Sequence, residues 1–276
     1  MTFTYQRQYR GRLKAVMLDW AGTTLDFGCM APAVVFIKVY EKAGVPISMA
    51  EARQPMGAHK KVHIQKISEL PTVRERWVKK HGKEPTAADV DRMFADFVPM
   101  QEACLSEYST LIPGTLDVVA ECRRRGYKIG STSGYLPGML AINQADAKRQ
   151  GYVPDYTCGA GDVPAGRPYP YMVLKNMIEM QISPVQAVVK VDDTLTGIEE
   201  GLNGGTWSIG LAISGNEVGV PLAEWNAMPE AVKQAHRDRI YPTMYQRGAH
   251  YVIDSIADLI PCLDDIEARL ARGEQP

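Results

Sequence analysis

Hydrophobic and polar positions follow two rhythms along this chain. Residues 15–18, Ala-Val-Met-Leu, are four apolar residues in a row ending at Asp19, the pattern of a short strand covered on both faces. Trp20-Ala21-Gly22-Thr23-Thr24 then makes a tight loop of mostly small residues. The spacing next turns helical. Segments 31–43, 48–70, 72–81 and 86–109 read as helices, broken at Gly44, at Pro71, at 82–85 and at Ile112-Pro113-Gly114. Pro32 falls in the first turn of the first segment, and Thr86 with Asp89 has capping-box spacing, Asp replacing Glu.

From 115 onward strand and helix alternate. Helices 115–125, 136–150, 169–180 and 196–203 interleave with strands 127–131, 156–158, 187–191 and 206–211. Such alternation predicts an α/β fold with a doubly wound parallel sheet, a Rossmann-type core. The helical block is then an all-helical cap domain inserted after the first strand. The expected division is a first core segment 1–26, a cap 27–107 and a second core segment 108–276. The cap is expected over the C-terminal edge of the sheet, where such folds bind ligands. Residues 214–247 have weak periodicity and predict no definite element.

Composition narrows the function. The chain has 276 residues, 45% hydrophobic and 23% charged, with a net charge of -1, which gives no electrostatic reason to expect nucleic acid or an anionic membrane. A small-molecule substrate is the expectation. The five cysteines, Cys29, Cys104, Cys122, Cys158 and Cys262, are scattered without a C-x-x-C pair, so neither disulfides nor a zinc site is expected and a reducing cytoplasm fits. The first ten residues lack the apolar run of a signal peptide, and no stretch of 18 apolar residues occurs. Met93, Phe94 and Phe97 stand at helical spacing, as a partner surface or as internal packing.

The chemistry gathers at strand ends. Asp19 closes the first strand as a candidate nucleophile, and the Ala-Gly-Thr-Thr loop offers backbone N–H groups and hydroxyls to a phosphoryl group. Asp192-Asp193-Thr194 follows another strand, so one of its acids and Asp19 are placed to share a divalent cation, Mg2+ by its preference for hard oxygen ligands. Ser131-Thr132-Ser133-Gly134-Tyr135 ends the second strand, and Arg167 supplies a cation for phosphoryl charge. This ordered set resembles the haloacid dehalogenase superfamily of phosphotransferases.

Phosphatases of that superfamily carry a general acid two positions after the nucleophile, where this chain has Ala21. Losing a general acid typically costs about two to four orders of magnitude in rate. The segment Met56-Gly57-Ala58-His59-Lys60-Lys61-Val62-His63 offers another route. A lysine amine condensed with an aldehyde forms an imine that accepts the electron pair of a breaking neighbouring bond. Lys61 is a second cation that lowers the pKa of Lys60, and His63 lies three residues on, on the same helical face.

Across nearly its whole length the chain resembles the phosphonatase family, the phosphonoacetaldehyde hydrolases of that superfamily. The resemblance rests on 19–24, 29–32, Met56-Gly57 with Lys60 and His63, 130–135, and 162–170. It implies hydrolysis of phosphonoacetaldehyde to acetaldehyde and phosphate by a cytoplasmic, magnesium-dependent homodimer that degrades 2-aminoethylphosphonate. By the same resemblance Asp19 is the nucleophile and Lys60 the Schiff-base lysine. Asp19, the Ala21 carbonyl and Asp193 are the metal ligands, and Ser133 and Arg167 bind the phosphoryl group. His63 moves protons at the imine, while Met56, Cys29 and Tyr135 line the pocket. One departure stands out: some members have an acid four residues after the metal aspartate, where this chain has Gly197. A phosphomonoesterase of the superfamily and a noncatalytic phosphate-ligand sensor are the competing readings.

Overall fold

The computed structural model describes residues 8–276, so most of the segment read above for a leader, residues 1–7, lies outside the described residues. Strand β1 (Ala15–Leu18) is followed by the five helices of the insert, α1 (Met30–Lys42), α2 (Met49–Arg53), α3 (Lys60–Glu69), α4 (Pro71–His81) and α5 (Ala87–Tyr108). Alternation then runs α6 (Thr115–Arg124), β2 (Lys128–Ser133), α7 (Pro137–Arg149), β3 (Tyr156–Gly159), α8 (Tyr171–Glu179), β4 (Val188–Asp192), α9 (Leu195–Asn203) and β5 (Trp207–Leu211). The chain finishes with α10 (Leu222–Ala227), α11 (Glu230–Gln246), β6 (Tyr251–Ile253) and α12 (Leu259–Ala271).

Among the described residues the strands form one parallel sheet in the order β3-β2-β1-β4-β5-β6. Successive β1 side chains enter opposite layers, as a pleated strand requires. Val16 and Leu18 join the large core that continues into the helical insert, while Ala15 and Met17 pack against Val173 and Met177 of α8. Leu18 pairs with both Ser131 and Val191, so Asp19, the end of β2 and the Asp192–Asp193 pair emerge side by side. The chain leaves β1 for β2 on one flank and returns to β4 on the other, and that reversal opens a crevice at the C-terminal edge.

The helical insert departs from expectation in one place. The segment 48–70 is two helices, because Pro55 and Gly57 interrupt it: Gly57 adopts φ +88, and His59 caps the new helix by accepting from the Lys61 N–H at 3.3 Å. Pro71 starts α4 as its first residue, where a missing N–H costs nothing. The Thr86–Asp89 capping box forms at both of its bonds. Met93 and Phe97 are buried, which makes them internal packing. Phe36 of α1 stacks between Phe97 (4.5 Å between centroids) and His63 (3.8 Å). No helix among the described residues is long and apolar enough to cross a membrane.

Phe97 is fully buried where α5 packs on α1. Phe97→Ala is expected to lower unfolding free energy by about 3–5 kcal/mol, read as a shifted urea midpoint at unchanged slope.

Candidate active site

Five segments converge on one small cavity of about 20 Å3, room for a single water. Its lining includes Asp19, Ala21 and Cys29 from the first loop, Met56 and Lys60 from the insert, Ser133 at the end of β2 and Tyr135 beyond it, Arg167 after β3, and Thr194 after β4. Eight residues singled out in the sequence thus meet in one place. His63 and Asp193 stand behind it. Asp193 backs the nucleophile loop, and His63 is fully buried under Phe36 with Nε2 donating to the Ala52 carbonyl at 2.8 Å. Among the described residues the His63 Nδ1 has no partner, and burial first, then the charge of Lys60, holds the pKa of this imidazole well below its usual range, so it is neutral.

The loop after Asp19 is wound on one carbonyl. Thr23, Thr24 and Leu25 all donate their N–H groups to Trp20 O, and the Thr24 hydroxyl ties back to the Asp19 carbonyl at 3.0 Å. Across the cavity, the loop before Lys60 lies on the core loops so closely that only glycine fits. A Cβ at Gly57 meets Thr196 Oγ1 at 2.4 Å and Thr194 Oγ1 at 2.7 Å. That contact brings the start of α3 down over the strand ends.

Lys60 is the first residue of α3 and only 4% exposed. Its ammonium lies 4.6 Å from the centre of the Tyr135 ring and 5.9 Å from that of Phe36, and no carboxylate lies within ion-pair distance of it among the described residues. Burial pushes its pKa from 10.5 down to about 8, and the positive end of the α3 dipole acts in the same sense. Burial likewise raises the Cys29 thiol and the Tyr135 phenol well above their usual ranges, so both are uncharged at neutral pH.

Beneath the cavity four buried charges alternate in a ring. Arg167 pairs with Glu200 (3.0 Å), Glu200 with Lys190 (3.4 Å), Lys190 with Asp192 (2.8 Å) and Asp192 with Arg167 (3.1 Å). The Thr132 hydroxyl sits among them, bonded to Lys190 at 2.6 Å and to Arg167 at 2.8 Å. So held, Arg167 reaches Asp19 Oδ1 at 2.6 Å. Lys190 and Glu200 escaped the sequence reading as site residues, whereas Thr132 and the cavity-lining Thr194 stood within segments 131–135 and 192–194 without a role of their own. A lysine inside the apolar run Val-Val-Lys-Val was the signal for the first.

The same ring separates the two adjacent aspartates. Asp192 has its oxygens taken by Thr194, Lys190 and Arg167; burial opposes its charge most, but Arg167 and Lys190 outweigh it and hold the carboxyl low. Asp193 accepts from the Asn216 N–H at 2.8 Å and otherwise has only a long contact, 3.5 Å, with the Thr23 hydroxyl. Burial, then the charges of Asp19 and Asp192, drives its pKa well up, and burial raises Asp19 despite Arg167. Gly197 has its reason here too: a Cβ there stands 1.9 Å from Asp192 Cγ. The Asp192 carboxylate fills the space that a side chain at 197 would need.

Asp19, Asp192 and Asp193 each bring an oxygen within 4.8 Å of the others. Among the described residues these acids and Glu200 form ion pairs only with Arg167 and Lys190, so with all four carboxylates ionised two negative charges are in excess. A divalent cation with oxygen preference matches that donor set and that charge.

Comparison with known proteins agrees with this geometry. Residues 13–205 match the haloacid dehalogenase-like hydrolases, hydrolases that use a metal ion. The chain is 45% identical to phosphonoacetaldehyde hydrolase of Hahella chejuensis, over 100% of this chain and 94% of that one. It is also 45% identical to phosphonoacetaldehyde hydrolase of Klebsiella pneumoniae, over 96% and 99%. The crystal structure of a phosphonoacetaldehyde hydrolase-like protein from Oleispira antarctica superposes with a TM-score of 0.97 at 40% identity, covering 100% of both chains. A doubly wound parallel sheet with Asp19 at a strand end, a helical insert that brings a lysine into the same cavity, and full-length likeness to these enzymes lead to one conclusion: the chain belongs to the phosphonoacetaldehyde hydrolases of the haloacid dehalogenase-like hydrolases.

Proposed function

We propose that this protein hydrolyses the carbon–phosphorus bond of phosphonoacetaldehyde, giving acetaldehyde and phosphate in 2-aminoethylphosphonate degradation. The observation that carries the reading is a buried lysine without a carboxylate partner in the same cavity as Asp19, in a loop with alanine where an acid would protonate a leaving oxygen. At pH 7 an amine of pKa 8 is about one-tenth unprotonated, against roughly one part in a few thousand for an ordinary lysine. Lys60 is therefore ready to attack an aldehyde.

The helices of 27–107 act as a cap on the core formed by 1–26 and 108–276. The substrate aldehyde condenses with Lys60, releasing water and leaving a protonated imine over the Tyr135 ring. Asp19 then attacks phosphorus, the carbon–phosphorus bond breaks, and its electron pair passes into the imine to give an enamine. Arg167 and the Ser133 loop hold the phosphoryl oxygens. Water cleaves the aspartyl phosphate; the enamine takes a proton on carbon, and hydrolysis of the resulting imine frees acetaldehyde and Lys60. Asp19, the Ala21 carbonyl and Asp193 would hold Mg2+, which would neutralise charge on the phosphoryl group and the nucleophile. Asp192 serves as counter-ion to Lys190 and Arg167. His63 shapes the wall behind Lys60 through Phe36 and is the candidate for proton movement at the imine, with Met56 and Cys29 as pocket walls. The protein works as a cytoplasmic homodimer in this reading, which leans on the family resemblance.

Lys60→Arg keeps the charge but forms no imine. It is expected to lower turnover of phosphonoacetaldehyde by at least about a thousandfold, while Asp19→Asn abolishes it. A Lys60→Arg enzyme that retains the wild-type rate, or a wild type faster on simple phosphate esters, returns the chain to the phosphomonoesterase reading. Absence of any turnover that depends on Asp19 favours the sensor.

The Lys60 shift gives a signed pH dependence. Because the unprotonated amine reacts, imine formation in rapid-mixing experiments is expected to rise with pH to a midpoint near 8 and then level. A rate still climbing above pH 10 contradicts a depressed lysine.

A further inference from the structure

The cavity of about 20 Å3 is too small for a substrate carrying a phosphoryl group and two carbons, so the insert must lift for substrate to enter. One side chain connects that movement to the metal-facing acid. Arg53, at the end of α2 and 8% exposed, crosses from the insert to the core. One of its terminal nitrogens donates to the Gly28 carbonyl at 2.8 Å and to Asn216 Oδ1 at 3.3 Å; the other donates to the Gly219 carbonyl at 3.0 Å. Asn216 answers with its Nδ2 on the Arg53 carbonyl at 3.4 Å. The backbone N–H of the same Asn216 is what holds Asp193 Oδ2.

The loop carrying Asn216 begins and ends in glycine. Gly215 and Gly219 bracket it, and Gly219 takes φ +69 with the Arg53 guanidinium 2.6 Å from where a Cβ would stand. Glycine at both ends leaves such a loop wide conformational freedom unless something outside it fixes it. Among the described residues the loop is also anchored by a Gly219–Gly215 backbone bond, by an exposed bond from Arg239 to the Glu217 carbonyl, by Val218 packed against the cluster of Ile198 and Ile213, and at its start by Ser214 bonded to Gly22, Gly28 and Asp254. From outside the loop, however, Arg53 alone bonds the Asn216 side chain among the described residues.

We infer that Arg53 is a positioning residue for Asp193. With the insert down, it clamps the 215–219 loop and presents the Asn216 N–H to the carboxylate; with the insert raised, the clamp opens and Asp193 loses its orientation. The inference rests on the reading that Asp193 faces the metal. By linkage, whatever the closed insert adds to metal affinity, metal adds to closure. Mg2+ binding and closing are thus coupled through one guanidinium that touches neither substrate nor metal.

Calorimetric titration with Mg2+ alone tests this on wild type, Arg53→Lys, Asn216→Ala and the double variant, each checked for native circular dichroism. Each single change is expected to weaken Mg2+ binding by about tenfold, as loss of a partner that orients a ligand does. The double variant is expected to be no weaker than either single one, since both break the same link. Mg2+ is expected to slow proteolysis between insert and core in wild type and not in Arg53→Lys. Should Arg53→Lys not fold, Asn216→Ala, which keeps its backbone N–H, gives the answer. Folded variants that bind Mg2+ within twofold of wild type overturn this inference alone. A wild type that takes up no Mg2+ overturns the metal reading and this inference with it.

Discussion

Everything at this site depends on one buried amine that has, among the described residues, no carboxylate to pair with. A lysine removed from water is costly as a cation, and proteins usually answer with a carboxylate. Here Lys60 faces the Tyr135 ring instead. The ring offers a negative face worth far less than an ion pair, so the proton is held loosely. A carboxylate beside Lys60 would keep it charged and remove it from nucleophilic chemistry. The protein has carboxylates nearby and spends them elsewhere, on Arg167 and Lys190.

That division of charge organises the floor of the site. The ring of Arg167, Glu200, Lys190 and Asp192 neutralises itself and fixes the guanidinium at Asp19. Asp19 and Asp193 remain as the uncompensated pair. Two adjacent aspartates in sequence thus do different things because one points into the ring and the other toward the nucleophile loop. Gly197 completes the arrangement by leaving room for the Asp192 carboxylate. The insert contributes the buried Lys60 amine and, through the tight contact at Gly57, the closure that keeps it from water.

Much of this was legible in the residues. The apolar run ending at Asp19 located β1, and the alternation after Pro113 gave the parallel sheet with its helical insert. The failures have physical causes. Residues 48–70 look periodic throughout, but Pro55 and Gly57 outweigh the periodicity and create the loop that seats Lys60. Helix α11 escaped because it lies on the surface and buries only Ile240 and Met244, too few to mark a face. Strand β6 is three residues long, shorter than any alternation can mark. Lys190 was visible as a charge in a buried strand. Glu200 and Asn216 were not, since their importance comes from neighbours far away in the chain.

The most direct test of the lysine's role is borohydride reduction during turnover, with mass mapping of the modified peptide. Wild type is expected to carry a reduced two-carbon adduct on Lys60 without phosphorus, and Asp19→Asn to carry the adduct with its phosphonate still attached. Turnover at the normal rate with Lys60 unmodified, or with the adduct on a different lysine, contradicts the account.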